Sequence, residues 1–334
     1  MPKLLLLGAG FSRNWGGWLA TEVFEYLLGT KAVIGSDKLR QLLWKHQLSG
    51  GFEAALAELQ MLAKNHPAEW QFDLAEFESA VLVMFGDMNS GFLDLGDWDL
   101  QTPPKESSKT IPFFLNKFDA IFTLNQDLLL EEHYLSRVDL SLISPRRWDG
   151  ASLPGLDFRP SLEPFHHLSK ARGRWIPQSN LNVDLSARMQ PIYKLHGSSN
   201  WQKEDGSPLL IMGGNKTQEI STTPILQMYQ NKFAEYLSEP NARLMVIGYG
   251  FGDEHINEAL TQAVELGLKI FLIDPMGAEL ALKLNKTRSS GQITCGTPLE
   301  SVFQKSLIGG SRRSLKEIFD GSPIEYKKVM NFFI

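Results

Sequence analysis

The residues best suited to chemistry come in short stretches, each at the end of an apolar run. Gly8-Ala9-Gly10-Phe11-Ser12 follows four leucines. Residues this small let backbone N–H groups approach a phosphate, and the dipole of a following helix adds attraction. A tight packing turn is the alternative, because Arg13 stands where GxGxxG would have its third glycine. Asn125 and Asp127 leave the run Ile-Phe-Thr-Leu together. They suit a turn in which both side chains bond their own backbone. They also suit a site where an amide positions a hydroxyl or water beside a carboxylate that holds a carboxamide. His196 follows Ile-Tyr-Lys-Leu. It is either a hydrogen-bonded structural histidine or, neutral near pH 7, a base for a ribose hydroxyl.

The stretch Gly248-Tyr249-Gly250-Phe251-Gly252-Asp253 ends another apolar run. Its glycines keep a strand-to-helix loop thin enough for a ligand to lie against the backbone, and Asp253 reads as the N-cap of the helix that follows. Asp274 ends Lys-Ile-Phe-Leu-Ile. A ribose diol suits it, and so does an N-cap before Pro275 at N1. No metal is expected. Cys295 is the single cysteine, and His166 and His167 are adjacent rather than at ligand spacing.

These residues need strands to carry them. Residues 3–7 are apolar and glycine-terminated, as in a strand buried on both faces. Similar runs at 119–124, 192–197, 243–248 and 269–274 complete the set, with a further strand at 208–212. Helices are expected at 17–28, through 38–65, from Asp73 with Glu76 at capping-box spacing, at 224–238, at 254–266 and after Pro275. The strand–helix–strand order of the last third implies a parallel sheet with a right-handed crossover. Ligands bind such sheets at the carboxyl ends of the strands, so all the polar strand ends should share one rim. The expected fold is α/β: a Rossmann-like parallel sheet with helices on both faces and an inserted, mainly helical module. It forms a single domain over 1–334, with a helical insertion at about 30–110 and an irregular, proline-punctuated one at about 141–190. Residues 86–110 read as a long exposed loop.

Gly8–Ser12, Thr-Leu-Asn-Gln-Asp at 123–127 and Leu-His-Gly at 195–197 resemble the three sirtuin signatures, in the sirtuin order. The resemblance implies an NAD-binding sheet and cleavage of the bond between nicotinamide and ribose, with NAD as substrate. It implies that Gly8, Ala9, Gly10, Phe11 and Ser12 face the pyrophosphate and that Asn125 positions the ribose and a water. Asp127 would bind the nicotinamide amide, and His196 would be the ribose-hydroxyl base. Gly248, Tyr249, Gly250 and Asp274 would line the adenosine half. Protein-deacylating sirtuins carry a zinc ribbon of four cysteines, which one cysteine cannot build. The chain is more similar to the sirtuin-like NAD hydrolases of bacterial antiphage defence, a likeness that includes YGFGDEHIN.

Length and composition bound the rest. A chain of 334 residues with 43% hydrophobic and 21% charged residues suits an ordinary soluble protein of one large domain or two modest ones. No run of about 18 apolar residues occurs, so no membrane span is expected. The leucines at 4–7 are too few for a secretory core, and a cytoplasmic protein is expected. A net charge of −5 speaks against a nucleic-acid coat. The leading expectation is an NAD glycohydrolase held in check by homo-oligomerisation or by a separately encoded defence partner. The alternatives are a zinc-free deacylase or ADP-ribosyltransferase, and a sensor that binds NAD or ADP-ribose without turnover.

Overall fold

The chain is seen in a computed structural model that describes residues 1–95, 98–100, 109–136, 147–162, 169–181, 188–214, 216–283 and 298–334. His166, His167 and Cys295 lie outside the described residues. The core strand is β1 (Lys3–Leu7), whose four leucines are all 0% exposed. The chain then runs through the short α1 (Ala9–Ser12) and α2 (Ala20–Leu28). A helical module follows: α3 (Lys31–Ile34), α4 (Asp37–His46), α5 (Gly51–Asn65) and α6 (Pro67–Leu93). Next come α7 (Ile111–Leu115) and β2 (Ala120–Thr123). Then follow β3 (Gly150–Ser152), β4 (Leu156–Arg159), β5 (Arg174–Pro177), β6 (Met189–Lys194), β7 (Gly197–Gln202) and β8 (Pro208–Leu210). The last third holds α8 (Lys216–Thr222), α9 (Pro224–Leu237), β9 (Arg243–Ile247), α10 (Glu254–Glu265) and β10 (Lys269–Ile273). It closes with α11 (Leu280–Lys283), α12 (Pro298–Ser306), β11 (Leu307–Ser311) and α13 (Pro323–Met330).

Among the described residues, seven strands form one sheet in the order β11-β10-β9-β1-β2-β6-β3, and every pairing in it is parallel. Phe122 and Leu6 share a rung, and Leu6 is level with Val246 and Leu272. Phe271, one residue along from Leu272, therefore faces the other way. Phe233 of α9 packs on Phe122, and Phe332, after α13, packs on Phe271. Both faces are covered, as the apolar character of the strands requires.

Several expectations change. The helix expected from Asp73 begins at Pro67, at N1. Asp73 lies inside it and accepts from Ser36 Oγ at 2.8 Å. The same helix continues to Leu93, so the first part of the loop expected at 86–110 is helical. Gly86 and Gly91 cost the helix propensity but break nothing. The helix expected across 38–65 is two helices, divided near Gly50 and Gly51, whose φ values are +100° and +62°. The strand expected at 192–197 ends at Lys194. Gly197, at φ +76°, turns the chain into β7 of a second sheet, ordered β4-β5-β7-β8 among the described residues. The described part of 141–190 thus contributes strands, where an irregular insertion was expected. No helix among the described residues is long and apolar enough to cross a membrane.

Candidate active site

One rung crosses the centre of the sheet. Ile273 pairs with Ile247, Ile247 with Leu7, Leu7 with Thr123, and Thr123 with Lys194. The residues just beyond that rung are Asp274, Gly248, Gly8, Asn125 and His196. At about 4.8 Å per strand they span about 19 Å, with the ends of β1 and β6, which lead to Gly8 and His196, two strand spacings apart. The chain leaves β1 towards β2 on one side and returns to β9 on the other. The crevice beside β1 is therefore the topological switch point, where open parallel sheets bind ligands.

The loops after β1 and β9 are in backbone contact. The Gly8 N–H donates to Ile247 O at 3.0 Å, Gly10 N–H to Gly248 O at 2.9 Å and Phe11 N–H to Gly8 O at 2.8 Å. A Cβ on Gly8 would meet Gly248 O at 2.6 Å, and one on Gly10 would meet Gly248 Cα at 2.7 Å. A Cβ on Gly248 would meet Gly10 Cα at 2.4 Å from a φ of +62°. These glycines are fixed by one another, as the packing-turn reading has it, and the amides of Gly8, Gly10 and Phe11 serve the protein itself. The Phe11 side chain is buried against Trp15, whereas Ala9 is exposed. Gly250 and Gly252 differ. Both are exposed, neither has a positive φ, and a Cβ on either meets nothing within 4 Å. Besides Gly248, the left-handed residue of that loop is Phe251, at φ +54°, fully buried and held by Asn257 Nδ2 donating to its carbonyl at 2.8 Å. Tyr249 turns inward, and its hydroxyl accepts from Asp253 N at 3.0 Å, bracing the loop.

On the β2 side, Asn125 Nδ2 donates to Gly8 O at 3.0 Å and to Ser12 Oγ at 2.9 Å. Ser12 Oγ donates to Asp127 Oδ2 at 2.7 Å, and Leu129 N donates to Asp127 Oδ1 at 3.1 Å. Both Nδ2 hydrogens are thus committed, and the acceptor Oδ1 is the end of Asn125 left for a water or hydroxyl. The Asp127 carboxylate is buried among internal donors, so it orients Ser12 and, through it, Asn125. Burial pushes its pKa up, with Lys194 and Ser12 working against the rise. Beneath lies a buried ion pair. Lys194 Nζ donates to Glu131 Oε1 and to Asp127 O, both at 2.6 Å, and Ser198 Oγ donates to Glu131 Oε1 at 3.0 Å. Burial raises the Glu131 pKa too, against the pull of Lys194.

His196 is buried on the neighbouring strand end, and its Nε2 lies 3.1 Å from His255 Nε2. Burial, helped by Lys216 and His255 and opposed by Asp253, lowers its pKa to about 3, so the imidazole is neutral at pH 7. Asp253 sits at the N-cap of α10, but its side chain makes no cap hydrogen bond. It accepts from Lys216 Nζ at 2.8 Å, and Lys216 also pairs with Glu53 of α5 at 2.7 Å. Burial alone would raise the Asp253 pKa, but His196 and Lys216 outweigh it and hold the group below the usual carboxylate value. Asp274 Oδ1 accepts from Met276 N at 2.8 Å, bracing the turn through Pro275. The short helix beyond begins at Gly277 with Met276 at its N-cap, so the N-cap role expected of Asp274 is taken by Met276.

The spacing of the motifs misses several residues. Gln126 Nε2 donates to the carbonyls of His196 and Ile211, and its own carbonyl accepts from Ser199 N, tying the β2 end to the β6–β7 turn. Asn89 of α6 accepts from Leu128 N and donates to Ser199 Oγ, each at 2.9 Å, so the helical module braces the site. Lys194 could have been found as the lone charge in an apolar strand. His255 could have been found as a second imidazole two residues after Asp253.

The family model of the SIR2-like domain matches residues 119–287. The chain belongs to the SIR2-like domain family. The match takes in Asn125, Asp127, His196, the Gly248–Gly252 loop and Asp274, and begins after Ser12. Two solved structures are similar to this SIR2-like chain. One comes from work on the structural basis for the mechanism and regulation of Sir2 enzymes. It covers 98% of this chain and 93% of its own, at 12% identity and TM-score 0.32. The other is a serine-to-alanine mutant of a Sir2 homologue in complex with ADP-ribose, with the same coverage and identity and TM-score 0.36. No curated protein matches the chain.

Proposed function

We propose that this SIR2-like protein is an NAD glycohydrolase, cleaving NAD to nicotinamide and ADP-ribose. The observation that carries the reading is the meeting, on neighbouring strand ends, of an Asn125 held by Ser12 and Asp127 with a buried, neutral His196. NAD would cross the switch point over the Gly8–Ser12 turn, with its adenosine half towards the Gly248–Gly252 loop and Asp274. Gly250 and Gly252, which the fold itself does not require, leave room for it there. Asn125 Oδ1 orients water towards C1 of the ribose, and His196 takes a proton from the ribose hydroxyl. The C1–N bond breaks through an oxocarbenium-like transition state, which asks chiefly for orientation and exclusion of water.

The whole chain then acts as one NAD-binding unit with the module of about 30–110 and the segment of about 141–190 inserted into it. A cytoplasmic NAD hydrolase would harm its own cell. The likeness of YGFGDEHIN to antiphage proteins supports a role as a defence effector, restrained by self-association or by a separately encoded partner. One cysteine in the sequence leaves no zinc ribbon for a peptide-lysine substrate. The test is turnover by Asn125→Ala and His196→Ala. Each should lose about two to four orders of magnitude in rate while still binding ADP-ribose. Wild-type turnover in both would overturn these roles.

A further inference from the structure

His255 has no part in the mechanism above, yet it touches the base. It is the second residue of α10, half-buried, with its Nε2 3.1 Å from His196 Nε2 and the ring centroids 5.2 Å apart. It also lines a cleft of about 320 Å³ between α8, α9 and α10, together with Ser221, Gln227, Gln230, Asn231 and Gln262. The charged groups facing it are Asp253 and Glu258 of its own helix and Lys216 of α8, the last also tied to Glu53 of α5. Burial and Lys216 lower the His255 pKa, while Asp253 and Glu258 work the other way. A hydrogen bond between two imidazole Nε2 atoms needs the proton on one of them, so these rings hold complementary tautomers. Among the described residues no hydrogen bond engages His196 Nδ1.

Hydrolysis of NAD sets a proton balance. Nicotinamide leaves carrying the electron pair of the C1–N bond, water adds its oxygen to C1, and one proton is left over per turnover. His196 is 4% exposed and too weakly basic to keep that proton as an imidazolium. We propose that His255 is a positioning residue acting through His196, which sets its tautomer and relays its proton to the solvent of the α8–α9–α10 cleft. This rests on the hydrolase reading. The ribose hydroxyl gives its proton to His196 Nδ1, and the Nε2 proton of His196 passes to His255 Nε2. His255 releases its Nδ1 proton to water in the cleft. The attacking water's second hydrogen restores the ribose hydroxyl, and the two rings reset by exchange with water.

The test is His255→Ala, assayed for NAD hydrolysis with and without added imidazole. Its kcat should fall about 10- to 100-fold with KM for NAD little changed. Imidazole, entering through the cleft, should restore kcat with saturation while leaving the wild type unaffected. His255→Asn, which keeps a polar contact but cannot relay, should show the same loss, and ADP-ribose binding by both variants reports that they fold. An unchanged kcat, or a loss that imidazole does not move, overturns the relay alone. A wild type that binds NAD and never cleaves it overturns the hydrolase reading, and the relay with it.

Discussion

The burial of His196 has a measurable price in acid. In the unfolded chain the imidazole titrates near 6.5, and in the folded protein near 3, chiefly through burial. Its folded pKa is depressed, so lowering the pH lets the unfolded chain take up a proton that the native state refuses. Stability is therefore full above about pH 6.5 and is lost as the pH falls towards 3. At pH 5 the unfolded chain is protonated over about 1.5 units at about 1.4 kcal/mol each, while the folded protein is still neutral. The loss between pH 7 and pH 5 from this one residue is thus about 2 kcal/mol. His196→Gln removes the titration, so the difference between the two proteins isolates it from every other group. Urea unfolding of wild type and variant at pH 7 and pH 5, at constant ionic strength, should show the wild type losing about 2 kcal/mol more. Equal losses would mean that His196 titrates normally in the fold, and the account of a buried, neutral base would fail.

Two substitutions in the β9–α10 loop should behave in opposite ways. Gly248→Ala places a Cβ against the backbone of Gly10 from a left-handed φ, where no side-chain rotation relieves it. It should cost about 2–4 kcal/mol, combining overpacking with the strained backbone, read as a lower urea midpoint. At Gly250 a Cβ meets nothing within 4 Å, so Gly250→Val grows from an exposed, open position. It should unfold within about 0.5 kcal/mol of wild type, as ordinary surface changes do, yet weaken ADP-ribose binding measured by calorimetry. Unchanged binding would remove the ligand from that loop.

What could be read from the sequence followed periodicity and length. The strands around Leu5, Phe122, Met245 and Leu272 have apolar centres and run out into glycine, asparagine or aspartate, and their polar ends do share one rim. The ends of α6 escaped. Pro67 at N1 starts the helix, while the capping-box spacing of Asp73 and Glu76 points to a later start, and Gly86 reads as a breaker although a long helix tolerates it. The edge strand Leu307–Ser311 hides behind Gly309 and Gly310, and β3–β5 are too short for a period of two to stand out. At the site, side-chain types suggested Asn125, Asp127 and His196, but their partners are set by tertiary contact. Nothing local says that Asp127 is spent on Ser12, that Asp253 serves Lys216 instead of its helix, or that Phe251 takes the left-handed turn beside glycines. Gly8 and Gly10 look the same in sequence whether they meet a phosphate or Gly248.

The central claim is that this SIR2-like site cleaves NAD with water. The most direct measurement incubates the purified full chain with NAD and quantifies nicotinamide and ADP-ribose by chromatography, beside Asn125→Ala and His196→Ala. The expected result is equal amounts of both products from the wild type and nearly none from either variant. NAD bound by the wild type but recovered intact would contradict the claim and make the site a binding module.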